Sequence, residues 1–223
     1  MRFNVLDVYC CQGAATKGYQ DAGATGTFGV DIDEQSRYFE VSDAFQRMDA
    51  IAFLREFAEW IREHFDFVHA SPPCQFYSAT SVLNGNQHPD LIGPTREALQ
   101  RIGLPYVMEN VVGAAAEMTE DSITLCGAMF GLHTYRHRLF EPGGWTLKAP
   151  EHPEHEQRTV KMGRPLKEGD FYHAVGNFTG VDYVRRDMGV HWMNRDGIRE
   201  CIPPAYTEYI GQQFLAQREG FSA

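Results

Sequence analysis

The stretch FNVLDVYCCQGAATKG, residues 3–18, predicts a short apolar strand, then a turn of small residues and the start of a helix. Such a turn lets a ligand approach the backbone, although small residues there can also serve only close packing. A second predicted strand, roughly residues 27–30, ends in Asp31-Ile32-Asp33. In doubly wound sheets, an acidic residue about 20 positions beyond a glycine-containing turn binds the ribose of a nucleoside. The sequence therefore predicts a doubly wound α/β fold with Asp31 in a nucleoside-binding crevice.

A further acidic residue, Asp49, precedes a segment with helical periodicity. Apolar residues recur there at the spacing of one helix face, namely Ile51, Phe53, Leu54, Phe57, Trp60 and Ile61. We expect a helix over this segment. Asp49 would either cap that helix or face a bound ligand, and the two roles are compatible.

One thiol follows a buried strand on a stiff turn. Residues 67–70 form an apolar run, and Ser71-Pro72-Pro73-Cys74-Gln75 comes directly after it. The two prolines fix their own φ and push the residues before them away from helix, so that Cys74 is held at the end of the strand. A rigid turn of this kind is a suitable position for a nucleophile. The alternative is a buried small hydrophobe beside a turn.

A carboxylate and an amide end another predicted strand, residues 106–111. They are Glu109 and Asn110, and in open α/β sheets the carboxyl ends of the strands form the edge where ligands bind. A carboxyl group whose pKa is raised by burial can share a proton with a substrate. Asn110 is expected to fix the turn instead.

These motifs together resemble the DNA cytosine-5 methyltransferase family, whose paired signature is Pro-Pro-Cys-Gln followed about 35 residues later by Glu-Asn-Val. The resemblance covers residues 3–140 well and residues 198–215 more loosely. It implies the class I S-adenosylmethionine-dependent methyltransferase fold, a Rossmann-like, mostly parallel α/β sheet flanked by helices. It also implies a catalytic core over 1–140, a minimal target-recognition region over 141–197 and a C-terminal segment, 198–223, that returns to the core. The compact chain resembles phage-type members.

The resemblance implies that one crevice binds S-adenosylmethionine. Asp49 would face the adenine, and Asp31 the ribose. Two residues depart from the family, because Cys11 stands where glycine is usual and Ile32 where an aromatic ring often stacks on adenine. The implied cofactor-binding residues are Tyr9, Cys10, Gln12, Gly13, Asp31, Ile32, Asp49, Ala50, Ser71 and Pro73.

The same resemblance assigns the chemistry. Cys74 would add to the cytosine ring beside the carbon that receives the methyl group, and Glu109 would share a proton with ring nitrogen 3. Arg136 and Arg138 would orient the base and the glutamate. The side chains of an i, i+2 pair in an extended segment point to the same side. Alternatively, the two arginines only form a solvated strand edge. Thr134 stands where the family has glutamine.

Double-stranded DNA is the implied partner, with the target cytosine flipped out of the duplex. The long polar loop between Phe76 and Gly93 is typical of a lid, and Gln75, Ser78 and Ser81 are expected to contact DNA. The chain carries a net charge of −10, yet residues 136–200 hold 11 Lys and Arg against 10 Asp and Glu, whereas the rest holds 9 against 20. Loops at 161–164 and 176–180 are expected to be exposed. The basic residues expected on phosphates, unless they only form a solvated face, are Arg158, Lys161, Arg164, Lys167, Arg185 and Arg186.

Composition favours one intracellular catalytic domain that works as a monomer. The 223 residues are 43% hydrophobic, enough for one packed α/β core. Five cysteines are an odd number and no long apolar span occurs, so we expect reduced thiols and a cytoplasmic protein. No metal is expected. His133 and His137 lie in an extended context, and His152 and His155 lack cysteine partners at zinc-site spacing.

Two other functions fit the same residues. A cytosine-5 methyltransferase acting on RNA or on a free nucleotide would use the same cysteine and glutamate. A non-catalytic DNA-binding homologue would keep the fold alone, which the presence of both Cys74 and Glu109 argues against.

Overall fold

The computed structural model describes residues 2–77, 89–161 and 163–220. Its strands are β1 (Phe3–Val8), β2 (Ala24–Asp31), β3 (Phe45–Arg47), β4 (Phe67–Ala70), β5 (Tyr106–Val111), β6 (Ile123–Leu125) and β7 (Arg138–Gly143). Its helices are α1 (Ala14–Asp21), α2 (Ala50–Glu56), α3 (Ala58–His64), α4 (Ile92–Ile102), α5 (Val181–Met188), α6 (Arg195–Glu200) and α7 (Pro204–Gly220). No helix among these residues is long and apolar enough to cross a membrane.

The strands form a seven-stranded sheet in the order β3-β2-β1-β4-β5-β7-β6. The pairs among β1 to β5 are parallel, and β7 runs antiparallel to both of its neighbours. The order reverses direction between β1 and β4, so the crevice at the carboxyl ends of these strands is the place where doubly wound sheets bind ligands. The predicted α/β class with a mostly parallel sheet is confirmed.

Helices cover both faces of the sheet, because successive strand residues point to opposite sides. Val5 packs on the face covered by α1 and α7, whereas Leu6 packs on the face covered by α2, α3 and α4. Phe67 and Val68 in β4 divide in the same way. This double burial explains why the strands are nearly continuous apolar runs.

The helix expected after Asp49 is broken in two. Phe57, with φ −107° and ψ 20°, ends α2 and begins α3, so the chain turns there. The turn leaves the Phe57 side chain 41% exposed, and it brings both Phe53 and Trp60 onto the ring of Phe28. The single-helix prediction failed here because the aromatic packing beneath the segment prevails over the local periodicity.

The last helix, α7, lies against α1 at the start of the chain. A Cβ atom added to Gly18 would lie 2.0 Å from Thr207 Oγ1 and 2.1 Å from the carbonyl oxygen of Pro204. The Thr207 hydroxyl donates to the carbonyl oxygen of Ala15 at 3.0 Å. Only a glycine lets the two helix backbones approach this closely.

A third, smaller core lies in the last third of the chain. Between β7 and α5, none of the described residues lies in a helix or strand. Nevertheless Tyr172 and Phe178 are buried together with Val184, Met193 and Ile198. The expectation that loop 176–180 is exposed is therefore wrong for Phe178, which is 3% exposed, because its ring fills this core.

Candidate active site

A cleft of about 420 Å³ opens at the carboxyl ends of β1, β2, β4 and β5. This volume lies in the range of about 300–1,000 Å³ that is usual for small-molecule sites. The residues that line it are Tyr9, Cys11, Asp31, Ile32, Asp33, Gln35, Asp49, Ala50, Ser71, Pro72, Pro73, Cys74, Gln75, Leu91, Glu109, Val111, Arg138, Arg199 and Glu200.

Cys74 lies at the mouth of this cleft on the turn that follows β4. The side-chain amide of Asn110 donates to the carbonyl oxygen of Pro72 at 3.0 Å, which ties the turn to the end of β5. Burial and the nearby Glu109 carboxylate raise the pKa of the Cys74 thiol, while Arg138 and Arg136 oppose the rise. The resting side chain is accordingly a thiol beside cations that favour its thiolate form.

Glu109 is buried at the end of β5 and faces Arg138 across the cleft wall. Arg138 Nε lies 3.0 Å from Glu109 Oε1. Burial nevertheless raises the pKa of the Glu109 carboxyl group, with Arg138 as the strongest opposing influence. A raised pKa makes the carboxyl group easier to protonate, and the protonated form can donate a hydrogen bond to a ring nitrogen.

A buried chain of hydrogen bonds supports Glu109 from inside the sheet. Tyr19 Oη lies 2.9 Å from His69 Nδ1, His69 Nε2 lies 2.8 Å from Ser71 Oγ, and the Ser71 hydroxyl bonds the Glu109 carboxyl group. Burial lowers the pKa of His69 to about 3, so the imidazole is neutral. One consistent assignment has Tyr19 donate to Nδ1, Nε2–H donate to Ser71, and Ser71 donate to Glu109.

Arg136 does not share the environment of Arg138. Its guanidinium is buried and donates to the carbonyl oxygens of Cys201 at 2.8 Å, Ala174 at 3.2 Å and Ile198 at 3.2 Å. The extended geometry assumed for the pair fails because Arg136 has a φ of 28°. Arg136 still lies close enough to lower the pKa of Glu109, although it does not line the cleft. Its contacts favour a positioning role.

The opposite end of the cleft carries two carboxylates. Asp31 accepts the backbone N–H of Cys11 at 2.9 Å through Oδ2 and that of Asp33 at 3.0 Å through Oδ1. Asp49 caps α2 by accepting the N–H of Ala52 at 2.8 Å, and it also lines the cleft. Ile32 is 63% exposed beside them, an apolar surface that a flat ring would cover. Two carboxylates and an exposed apolar side chain in one place are suited to binding a nucleoside.

The remaining residues predicted to bind the cofactor divide into two groups. Tyr9, Ala50, Ser71 and Pro73 line the cleft, and the Tyr9 hydroxyl bonds Thr95 Oγ1 at 2.8 Å.

The other three residues stand behind the cleft wall and shape it. Cys10 is buried in a small cavity behind the cleft, and Gly13, with φ 84°, begins α1. Gln12 contacts the last third of the chain, where its Nε2 donates a hydrogen bond to Asn194 Oδ1 at 2.9 Å.

The residues predicted to contact DNA lie at and beyond the cleft. Gln75 lines it, whereas Ser78 and Ser81 fall outside the described residues. Five of the predicted basic side chains, Arg158, Lys161, Arg164, Lys167 and Arg186, are exposed. Arg185 is half-buried and donates to the carbonyl oxygen of Met193 at 2.7 Å. None of these six basic residues lines the cleft.

Eight of the described cleft residues were not among the predicted site residues, and one cluster was missed; the eight are Cys11, Asp33, Gln35, Pro72, Leu91, Val111, Arg199 and Glu200. Arg199 and Glu200 close the cleft from α6, and no local signal marks them, because they reach it only through the tertiary fold. No cysteine stands at zinc-site spacing from His152 and His155 in the sequence, but the fold brings a distant one close. Cys126 Sγ lies 3.3 Å from His155 Nε2, since β6 and β7 bring distant parts of the chain together.

No protein-family model matches the chain, and no curated protein matches it in sequence. Two solved structures resemble it. The first is an E. coli prophage-encoded protein assigned as a DNA modification methyltransferase, with 14% identity and a TM-score of 0.66 over 97% of this chain and 99% of that one. The second is the S. pombe Dnmt2 methyltransferase, with 18% identity and a TM-score of 0.47 over 66% of this chain and 52% of that one.

The likeness to the prophage protein extends over nearly the whole of both chains and shows a shared fold. Together with the order of the strands and the antiparallel β7, it defines the class I, Rossmann-like methyltransferase fold.

Proposed function

We propose that this protein is an S-adenosylmethionine-dependent DNA methyltransferase that modifies carbon 5 of a flipped cytosine. The observation that carries the proposal is the meeting of Cys74 and Glu109 in one cleft, at the ends of the adjacent parallel strands β4 and β5. A thiol and a protonatable carboxyl group are the two groups that a cytosine ring needs for activation at carbon 5.

The chain's own residues would divide the work. The Cys74 thiolate adds to the ring carbon next to carbon 5, and the electron pair that it supplies makes carbon 5 nucleophilic. After carbon 5 has gained the methyl group, a base removes its proton, the bond to Cys74 breaks and the thiolate leaves. Glu109 holds a proton at ring nitrogen 3 as negative charge develops there. Arg138 orients Glu109 and favours the thiolate of Cys74.

The far end of the cleft fits the cofactor. Asp31 would accept the ribose hydroxyls, Asp49 would face the adenine and Ile32 would cover its ring. When bound, S-adenosylmethionine supplies an electrophilic methyl group on sulfur. Cys10, Gln12 and Gly13 would act by shaping the turn beneath it.

DNA is the proposed substrate, and a base inside a duplex would have to leave the stack to reach this cleft. The prophage protein of the same fold is assigned to DNA modification. The exposed basic residues of the last third of the chain would contact phosphates, which makes binding sensitive to salt. With so small a recognition region, we expect a target of no more than about four fixed base pairs.

The test is incubation with S-adenosylmethionine and cytosine-containing duplex DNA, followed by nucleoside mass spectrometry. We expect 5-methylcytosine with the wild type and a loss of at least about 1,000-fold with Cys74→Ala and with Glu109→Gln. Binding of S-adenosylmethionine to both variants controls for folding. Asp31→Asn should weaken that binding by about 10-fold or more, because it removes a charged acceptor.

DNA with 5-fluorocytosine at the target provides a second readout. Fluorine cannot leave as a proton, so the adduct with Cys74 should persist and be visible as a mass increase of the Cys74 peptide. If RNA or free cytidine nucleotides gain the methyl group and DNA does not, the substrate proposal fails while the chemistry stands. If the protein binds S-adenosylmethionine but modifies none of these substrates, the proposed activity fails and the non-catalytic DNA-binding function is favoured.

A further inference from the structure

Four metal-ligating side chains meet outside the cleft, at the edge of the sheet where β6 and β7 lie. They are Cys126, His137, His152 and His155, and their ligand atoms all lie within 4.8 Å of one another. The proposed methyl transfer uses none of them. Soft sulfur and imidazole nitrogen are the ligands that zinc prefers in proteins.

The sheet itself sets two of these side chains side by side. Leu125 of β6 pairs with Arg138 of β7 in the antiparallel ladder. Cys126 follows Leu125 and His137 precedes Arg138, so the two ligands occupy the next position at the end of the same ladder. The pairing of β6 with β7 therefore brings the backbones of Cys126 and His137 side by side.

The other two side chains come from a segment without helix or strand. His152 and His155 stand in a His-Pro-Glu-His stretch of the exposed loop that follows β7. The ring of His155 stacks on Tyr135 at a centroid distance of 3.6 Å, and the Tyr135 hydroxyl donates to the carbonyl oxygen of Gln157 at 2.7 Å. These contacts hold the loop over Cys126.

The distances approach those of a tetrahedral site. Cys126 Sγ lies 3.3 Å from His155 Nε2, and His137 Nε2 lies 3.2 Å from His152 Nε2. Zinc bonds of about 2.0–2.3 Å in a tetrahedron place ligand atoms about 3.3–3.7 Å apart. A small contraction of the longer separations would complete the tetrahedron.

The hydrogen bond of His152 also suits a cation. His152 Nδ1 lies 2.8 Å from the carbonyl oxygen of Pro153, so this nitrogen carries the proton and leaves the Nε2 lone pair for a metal. Cys126 is fully buried beneath the loop.

We propose that Cys126, His137, His152 and His155 bind one Zn²⁺ as a structural site that fastens the loop after β7 to the edge of the sheet. All four ligands come from the protein, which is typical of structural and not of catalytic zinc. The site takes the place of a local core for a loop that has no helix or strand of its own. The proposal is independent of the proposed methyl transfer.

The test measures zinc directly in the full-length protein. Wild type, a His152→Ala/His155→Ala double variant and a His191→Ala control are stripped with a chelator, supplied with Zn²⁺ and gel-filtered before elemental analysis. We expect about one zinc per chain in the wild type and control, and less than about a tenth of that in the double variant. Both replaced residues are exposed, as is His191, so folding should survive in all three proteins.

Two further readouts separate a specific site from loose binding. Zn²⁺ should raise the unfolding temperature of the wild type and the control but not that of the double variant. Co²⁺ should give the wild type a thiolate-to-cobalt charge-transfer absorption that Cys126→Ser lacks. Failure of the wild type to retain zinc, or equal retention by the double variant, would overturn the proposal.

Discussion

At the scale of single residues, the proposed active site depends on Arg138. This one guanidinium bonds Glu109 and also lowers the pKa of Cys74 against the effects of burial and of the Glu109 carboxylate. Burial raises the pKa of both reactive groups, and Arg138 opposes the rise at each of them. Arg138 therefore acts on the proposed acid and on the proposed nucleophile at once.

Replacing this cation should change the reactivity of Cys74. In Arg138→Gln the pKa of Cys74 rises further, because a positive charge that favours the thiolate is gone. Alkylation of Cys74 by iodoacetamide should slow by about 10-fold at neutral pH, and its increase with pH should move to higher pH. Mass spectrometry of the Cys74 peptide measures the rate. Arg158→Gln is the control, and an unchanged pH profile in Arg138→Gln would contradict this account.

At the scale of elements, the contact between α1 and α7 decides how the two ends of the chain meet. Gly18 is a helix residue whose missing side chain leaves room for Thr207 and Pro204. In an exposed helix, replacing glycine with alanine is stabilising by up to about 1 kcal/mol. At Gly18 the neighbouring backbone of α7 makes the same replacement destabilising.

Gly18→Ala should lower the free energy of unfolding by about 1–3 kcal/mol, because its methyl group would overlap a backbone carbonyl that cannot move without shifting α7. Urea titration followed by circular dichroism measures this change. The matched control is Gly93→Ala in α4, where a Cβ would meet no atom within 4 Å. That variant should be neutral or slightly stabilised, and equal effects of the two substitutions would refute the packing argument.

At the scale of the whole molecule, the last third of the chain is joined to the sheet by buried polar contacts. Gln12 bonds Asn194, and Arg136 bonds the carbonyl oxygens of Ala174, Ile198 and Cys201. These carbonyl groups have left water, so losing their donor would leave them unsatisfied. Arg136 thereby connects the small third core to the edge that carries Arg138.

Arg136→Lys should test this connection, because an ammonium group cannot replace the planar fork of donors. We expect the free energy of unfolding to fall by about 2–4 kcal/mol. Amide hydrogen exchange should become faster between residues 172 and 201 and stay unchanged in β1 and β4. Arg158→Lys, at an exposed position, should change neither quantity. Uniform exchange in the Arg136 variant would show that its bonds do not join these parts.

The sequence by itself indicated the strands β1, β2, β4 and β5 and the edge at which Cys74, Glu109, Asp31 and Asp49 meet. Apolar periodicity is a local property, and parallel strands must end at a common edge, so short segments contain this information. Local patterns were insufficient where packing intervened, as at the break between α2 and α3 and at the buried ring of Phe178.

Only the tertiary structure decided the partners of the arginines and histidines. Arg136 and Arg138 are two residues apart, yet one bonds carbonyl oxygens about 65 residues away and the other bonds Glu109. Cys126 meets His155 across 29 positions of the chain. Such contacts depend on how β6 and β7 pair and on where the following loop returns, and no local pattern specifies either. The folded sheet edge therefore determined the cluster that we propose binds zinc.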